Sequence, residues 1–201
     1  RVLHKAGIPF LILEASDGVG GRVRTDRVEG FLLDRGFQVL QTAYPEAQAV
    51  LDYRALDLKP FYPGALVYYE GQLHRVGDPL RQPQHFFSTL FSPIGTLADK
   101  LRVGRLRRRV SQGSIEDLFR RPETSTLATL KAQGFSDMMI ESFFRPFFST
   151  VFFDQELASS SRMFEFVFRV LAQGDTALPA GGMGAIPAQL AAALPVGSIR
   201  T

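Results

Sequence analysis

The pattern of apolar and polar positions divides the chain into a first stretch of β-like runs and a longer second stretch with helical periodicity. Residues 1–7 read as the last turns of a helix, with Gly7 at its C-terminal stop. Residues 8–14 follow as a continuous apolar run that ends at Glu14. Hydrophobicity that is continuous rather than alternating predicts a strand buried on both faces, as in a parallel sheet covered by helices. After a glycine-rich turn, Arg22-Val23-Arg24-Thr25 alternates like a strand. Residues 30–39 add a second strand and turn, with Asp34 and Gly36 spaced for a tight bend. Two β-rich runs in residues 65–76, joined by Glu70-Gly71, predict a hairpin. Helical spacing then predicts helices over 79–90, 93–110, 126–133, 136–150 and 159–173. Pro79 and Pro93 mark starts, and Gly113 and Gly134 mark stops. Arg145-Pro146 predicts a kink or an end near residue 145.

Composition narrows the class. The 201 residues are 45% hydrophobic and 21% charged, with 18 Phe and no Cys, which excludes a disordered, collagen-like or disulfide-stapled chain and thiolate zinc sites. His4, His74 and His85 are scattered, so no metal site is expected. No Ser-His-Asp or Cys-His arrangement carries motif support either. No run of about 18 apolar residues predicts a transmembrane helix, and the start does not resemble a signal peptide. Residue 1 is Arg, and a helix that begins in its final turns predicts further sequence upstream.

The ending of the first strand carries candidate chemistry. A carboxylate at a strand's C-terminal edge, followed by a glycine-rich turn, is the second half of a dinucleotide-binding βαβ unit, where the acid accepts hydrogen bonds from the adenosine ribose. Glu14 has that position, and an ordinary strand-end acid has it too. Gly18, Gly20 and Gly21 are not the phosphate fingerprint itself, because that fingerprint must open a helix and this turn leads into a strand. Gly20 and Gly21 permit close backbone approach to a ligand, and Arg22 offers a forked guanidinium suited to a pyrophosphate.

The segment from Leu13-Glu14-Ala15 through Gly20-Gly21-Arg22, followed by Asp34-Arg35-Gly36-Phe37-Gln38, resembles the flavin amine oxidase superfamily of amine oxidases, protoporphyrinogen oxidases and phytoene desaturase-like enzymes. Pro179-Ala180-Gly181-Gly182-Met183 resembles a second segment of the same superfamily. The resemblance implies an α/β chain, α+β overall, carrying a partial Rossmann-type FAD-binding segment over 1–60. A mostly helical substrate domain with a small antiparallel sheet would follow over 61–180, and 181–201 would return towards the FAD domain. It implies FAD as cofactor, with Glu14 and Ala15 at the ribose, Gly20, Gly21 and Arg22 by the pyrophosphate, and Gly36, Phe37 and Gln38 close to the flavin ring. The family's first strand and G-x-G-x-x-G turn do not occur in these 201 residues, nor does its C-terminal part. The expectation is therefore an internal portion of a longer flavoenzyme that does not hold FAD tightly by itself. The implied activity is flavin-mediated oxidation, desaturation or isomerisation of a hydrophobic small molecule such as an isoprenoid or porphyrin. Oxidation of a small amine and a catalytically silent binding or assembly module are the alternatives. No residue supplies an evident general base, so catalytic residues stay unassigned.

Three further features have two readings each. Nine Phe residues crowd into positions 143–168, either as an apolar substrate cavity or as core. Phe143, Phe147 and Val151 share one helical face, and Phe144 and Phe148 share the next. Arg145 among them is an anchor either for a substrate carboxylate or for Glu141 or Asp154. Lys100, Arg102, Arg105, Arg107, Arg108 and Arg109 form a basic run beside a stripe of Leu97, Leu101, Leu106 and Val110 predicted to be buried. No nucleic-acid-binding fold accompanies the run, so nucleic acid is not an expected partner. A solvated helix face and a peripheral membrane contact are the two readings, and the expected location is cytoplasmic or at a membrane surface, including that of a plastid.

Overall fold

A computed structural model of the chain describes residues 1–36, 39–78 and 81–201, with backbone only at His85 and Phe86. The strands in chain order are β1 (Ile12–Leu13), β2 (Thr25–Val28), β3 (Phe31–Asp34), β4 (Leu40–Gln41), β5 (Leu58–Pro60), β6 (Gly64–Tyr69), β7 (Gln72–Gly77), β8 (Thr176–Pro179) and β9 (Ile199–Arg200). The helices are α1 (Val2–Lys5), α2 (Pro45–Val50), α3 (Phe86–Leu90), α4 (Leu97–Ser111), α5 (Ile115–Phe119), α6 (Thr126–Ala132), α7 (Asp137–Met139), α8 (Arg145–Phe152), α9 (Ser161–Gln173) and α10 (Ala185–Ala192). They form two compact units, Arg1–Phe61 with Gly174–Thr201, and Tyr62–Gln173. The chain is thus a mixed helix and strand protein with small sheets. Among the described residues no helix is long and apolar enough to cross a membrane.

In the first unit α1 ends as its sequence predicts. Gly7 takes φ +68°, and the amides of Gly7 and Ile8 bond back to the carbonyls of His4 and Leu3 at 3.1 and 3.0 Å, a Schellman closure. The strand expected over 8–14 is corrected by the structure. Only Ile12 and Leu13 pair, in parallel with Ile199 and Arg200, and Leu13 is 75% exposed rather than buried on both faces. With one neighbouring strand and a two-residue ladder, the run has too little partner surface to bury its side chains. β2 and β3 pair antiparallel through Glu29 and Gly30, both at positive φ. That backbone is the type I′ turn whose twist suits a two-residue hairpin. A three-stranded antiparallel sheet of order β4, β8, β5 completes the unit.

The second unit opens with the predicted hairpin, β6 and β7 paired from Gly64–Gly77 to Tyr69–Gln72, again across a Glu-Gly turn at positive φ. Its alternate residues Val67, Tyr69 and Val76 pack on a core formed by Leu106, Val110, Leu130, Phe135, Ile140, Phe144, Phe148, Leu157 and Phe164. Helix starts follow capping chemistry more closely than proline positions. The helix expected from residue 93 starts at Leu97, because Thr96 and Asp99 form a reciprocal capping box and Gly95 at φ +69° interrupts the approach. The helix expected over 79–90 is shorter: a 3-10 turn at Pro83–His85 runs into α3, and Pro79 lies outside the described residues. Ser114 and Asp117 form a second capping box that starts α5, a helix the periodicity does not announce.

Residues 137–152 stay helical through the predicted break. Between α7 and α8 lies a π turn at Ile140–Phe144, and Pro146 follows it directly, so the widened turn accommodates the proline ring and its missing N–H inside a continuous helix. The predicted stripe on α4 is also corrected. Leu106 and Val110 are buried together with Asp99, whereas Leu97 and Leu101 are 60% and 67% exposed. At about 100° per residue, Asp99, Val103, Leu106 and Val110 share one face, and Leu97 and Leu101 lie opposite it.

Asp99 joins two helix starts. It is fully buried and accepts hydrogen bonds from the amide and hydroxyl of Thr96 and from the amide and hydroxyl of Ser136, the residue that caps α7. Burial favours its neutral form, but these donors outweigh burial and hold the carboxyl at about 2, below the usual 3.8. Because the folded value is depressed, the carboxylate stabilises the fold above about pH 4. That contribution, about 2 kcal/mol, is lost as pH falls from about 4 to about 2. Urea midpoints measured across this range are expected to fall steeply for the native protein and to fall less for Asp99→Asn, which starts lower at neutral pH.

Candidate functional site

The candidate cofactor residues all belong to the first unit, apart from Phe37 and Gln38, which lie outside the described residues. Glu14 leaves β1 with its amide bonded to the Arg200 carbonyl at 2.8 Å, so the parallel ladder fixes where its side chain starts. The Ser16 amide and hydroxyl donate to Glu14 Oε1 at 2.9 and 2.8 Å. The Ser16 amide bond, then its hydroxyl bond, holds the Glu14 carboxyl below its usual range, with a smaller contribution from the Arg24 charge. Glu14 is therefore a carboxylate at neutral pH, an acceptor suited to ribose hydroxyls. Ala15 beside it is exposed.

From Ser16 the chain turns through Gly18 to Arg24, whose guanidinium meets Asp17 at 2.7 Å. Gly20 adopts φ +112°, and a Cβ there would lie 2.6 Å from the Val23 carbonyl oxygen and 2.9 Å from Pro187 of α10. Gly21 is different, since a Cβ on it would meet nothing within 4 Å. Arg22 is exposed and, among the described residues, makes no ion pair. Gly36 crosses directly over this turn, and its Cβ would lie 2.5 Å from the Arg22 carbonyl oxygen. The Arg35 amide donates to the Arg24 carbonyl at 2.8 Å, which fixes the crossing. The structure thus brings Gly20, Gly21, Arg22 and Gly36 together at the open end of the β2–β3 hairpin, with Glu14 linked to the start of this turn through Ser16, whose hydroxyl also reaches the Gly18 carbonyl.

One part of this site is not apparent in the sequence. Asp34, read there as a bend residue, accepts from the Thr25 hydroxyl and from the Met183 amide at 2.9 Å, and the Gly184 amide donates to Thr25 Oγ1 at 2.7 Å. A Cβ on Gly182 would lie 2.5 Å from the Thr25 side chain. The glycine turn before α10 is thereby clamped against the hairpin. The signal for it is the glycine run, in which Gly182 and Gly184 both lie too close to Thr25 for a side chain.

A family model for flavin-containing amine oxidoreductases matches residues 1–201. The chain belongs to this flavin-containing amine oxidoreductase family. No curated protein matches it significantly. Among solved structures, a triple mutant of putrescine oxidase redesigned for cofactor binding is 19% identical with a TM-score of 0.61. Wild-type putrescine oxidase bound to putrescine is 20% identical with a TM-score of 0.60. Each match covers 98% of this chain and 46% of the putrescine oxidase chain, so this chain spans less than half of theirs.

Family membership implies FAD, and the residues present fit it. Glu14 supplies an ionised acceptor, Arg22 a cation that makes no ion pair among the described residues, and Gly21 a backbone next to open space. Two cavities of this unit, of about 340 and 500 Å³, lie elsewhere, around Tyr53 and Asp175 and around His4 and Pro195. Neither is lined by the candidate cofactor residues or by any Phe of the crowded segment.

That crowded segment is core at three of its rings and partly buried at most of the others, while Phe153 is 95% exposed. Phe144, Phe148 and Phe164 are at most 1% exposed; Phe164 meets Phe148 and Phe144 edge to face at 4.8 and 6.0 Å between centroids, and Phe144 and Phe148 are stacked at 6.3 Å. The neighbouring stripe is half-open, with Phe147 and Val151 38% and 41% exposed. Arg145 takes the structural role, bonding both oxygens of Glu141 at 2.8 and 2.9 Å and the Gln155 carbonyl.

Proposed function

We propose that this chain forms the cofactor-proximal part of an FAD-dependent oxidoreductase acting on an apolar substrate, an isoprenoid or a porphyrin type of molecule. In this reading the parallel β1–β9 pair belongs to a Rossmann-type sheet, and Glu14 at its edge is the ribose acceptor. The observation that carries the proposal is that carboxylate, kept ionised by Ser16 at a strand end, with the Ser16 hydroxyl also reaching the Gly18 carbonyl of the turn that bears Arg22 and lies under Gly36.

Bound FAD supplies hydride acceptance from the substrate. The chain's own residues bind and orient. Glu14 accepts from the ribose hydroxyls, Arg22 neutralises pyrophosphate charge, and the Gly21 backbone lets the phosphates approach. Asp34 and Thr25 hold the Gly182–Gly184 turn in register with this hairpin. The half-open Phe147 and Val151 stripe on α8 supports an apolar rather than a charged substrate. A small-amine substrate has one observation in its favour, the likeness to a putrescine oxidase holding putrescine.

In the intact, FAD-loaded protein, Glu14→Ala is expected to weaken FAD binding about 10- to 100-fold, the loss of one or two charge-assisted hydrogen bonds. Recovery of free-flavin fluorescence on dilution measures it, and an unchanged Kd overturns the ribose role. Anaerobic mixing with a porphyrinogen, a polyene or a diamine then separates the substrate readings. Bleaching of the flavin absorbance by an apolar substrate supports the proposal, bleaching by the diamine alone transfers it to amine oxidation, and no bleaching favours a silent module.

A further inference from the structure

The basic run on α4 resolves into two groups with different work. Lys100 donates to the carbonyls of Leu90 and Ser92 at 2.6 Å, which straps the end of α3 to α4. Arg102 pairs with Asp99, Arg107 with Asp78 and the Ala172 carbonyl, and Arg109 with Glu165. Arg105 and Arg108 are exposed and, among the described residues, have no acidic partner. They fall on the same arc as Leu97 and Leu101, which spans about 100° opposite the buried face and about 16 Å along the axis. No acidic residue lies on that arc. Phe91, whose neighbours Leu90 and Ser92 are the residues bonded by Lys100, stacks with Phe87 at 6.4 Å between centroids, and the two rings are 77% and 68% exposed. The Lys100 strap fixes them next to the first turns of α4.

We propose that this face docks on an anionic membrane surface. Two exposed leucines and a stacked pair of phenylalanines supply an apolar wedge of the depth that the headgroup and acyl boundary accepts. Two unpaired arginines a turn away supply the phosphate contacts. Four large apolar side chains left in water beside uncompensated positive charge are costly in solution, and both costs fall at an anionic bilayer. The mixture distinguishes the surface from an ordinary solvated helix face, where charges are interleaved and large apolar groups occur singly. An acidic protein partner would match the arginines, but would leave the aromatic wedge needing an apolar groove.

The test is co-sedimentation of the intact protein with phosphatidylcholine vesicles, with and without phosphatidylglycerol. Binding is expected only with the anionic lipid and is expected to weaken with added salt. Arg105→Gln with Arg108→Gln is expected to lower it about 30-fold, at about 1 kcal/mol per arginine. Leu97→Ser with Phe91→Ser is expected to lower binding while leaving the salt dependence in place. All four side chains face solvent, so circular dichroism is expected to show the variants folded. Absence of binding to anionic vesicles, unchanged binding by both variants, or self-association of the protein through this face overturns the proposal.

Discussion

Replacing Phe144 by Ala is expected to destabilise the Tyr62–Gln173 unit by about 3–5 kcal/mol, the cost of a large ring removed from a site that cannot collapse. The ring is fully buried and meets Phe135 at 4.8 Å, Phe143 at 5.5 Å, Phe164 at 6.0 Å and Phe148 at 6.3 Å between centroids. Three of these partners are edge-on, the arrangement in which aromatic pairs add to simple burial. Its backbone closes the π turn, so the walls of the cavity belong to a helix already displaced from regular geometry. Phe147→Ala, on the half-open stripe, is expected to cost less than about 1.5 kcal/mol because much of that ring is already hydrated. Urea unfolding followed by far-ultraviolet circular dichroism compares the two. Equal costs would mean that the buried and half-open stripes are not distinct in solution.

The second large effect is expected at Gly36. A single methyl added there would overlap the Arg22 carbonyl oxygen at 2.5 Å, and that atom is backbone, with no flexible end to swing away. One strand has to shift by the order of 1 Å, and overpacking of this kind costs about 1–3 kcal/mol. The shift falls where the turn bearing Gly21 and Arg22 is positioned. Gly36→Ala is therefore expected to weaken FAD binding in the intact protein by about 10- to 100-fold, with a smaller loss of fold stability. Flavin retention on desalting and a thermal melt of the apoprotein separate these two effects. Gly21→Ala is the informative contrast, because no chain atom crowds that Cβ: its φ of +53° alone opposes the change in the apoprotein, and loss of FAD binding would come from the Cβ occupying the space proposed for the phosphates.

Local features of this chain are legible in its sequence where a short-range physical cause dominates. The Glu70-Gly71 pair makes its turn because two consecutive positive φ angles match strand twist, and the same pair at Glu29-Gly30 makes the other hairpin. One member of each of the doublets Phe143-Phe144 and Phe147-Phe148 becomes core because one stripe of them can be wholly buried, whereas Phe153 of the third doublet stays exposed. Helix starts are misjudged when Pro93 is weighed above the Thr96 to Asp99 box, since a satisfied pair of amides outweighs a favourable φ. The candidate cofactor residues from Glu14 to Arg22 are legible as a motif. Their assembly is not, because Asp34 reaches the Met183 amide across 149 positions and Thr25 reaches Gly184 across 159. Charge is legible only as a count. Which arginines hold the fold and which face water depends on where Asp78, Asp99 and Glu165 arrive in space.

The π turn at Ile140–Phe144 bears on how this helix tolerates change in length. The doublets Phe143-Phe144 and Phe147-Phe148 present two ring stripes a single residue out of phase, and either is greasy enough to fill the core. The wide turn acts as a frame selector between them, taking up one residue more than a regular turn and delivering Phe144 and Phe148 inward. A one-residue deletion there returns the turn to regular α geometry and leaves the later side chains in phase, whereas a one-residue insertion in the regular turns that follow rotates every later side chain by about 100° and offers the core the wrong member of the doublet. A single deletion is therefore expected to be tolerated better at this turn than in the regular turns on either side of it, and urea midpoints of the two kinds of variant check this.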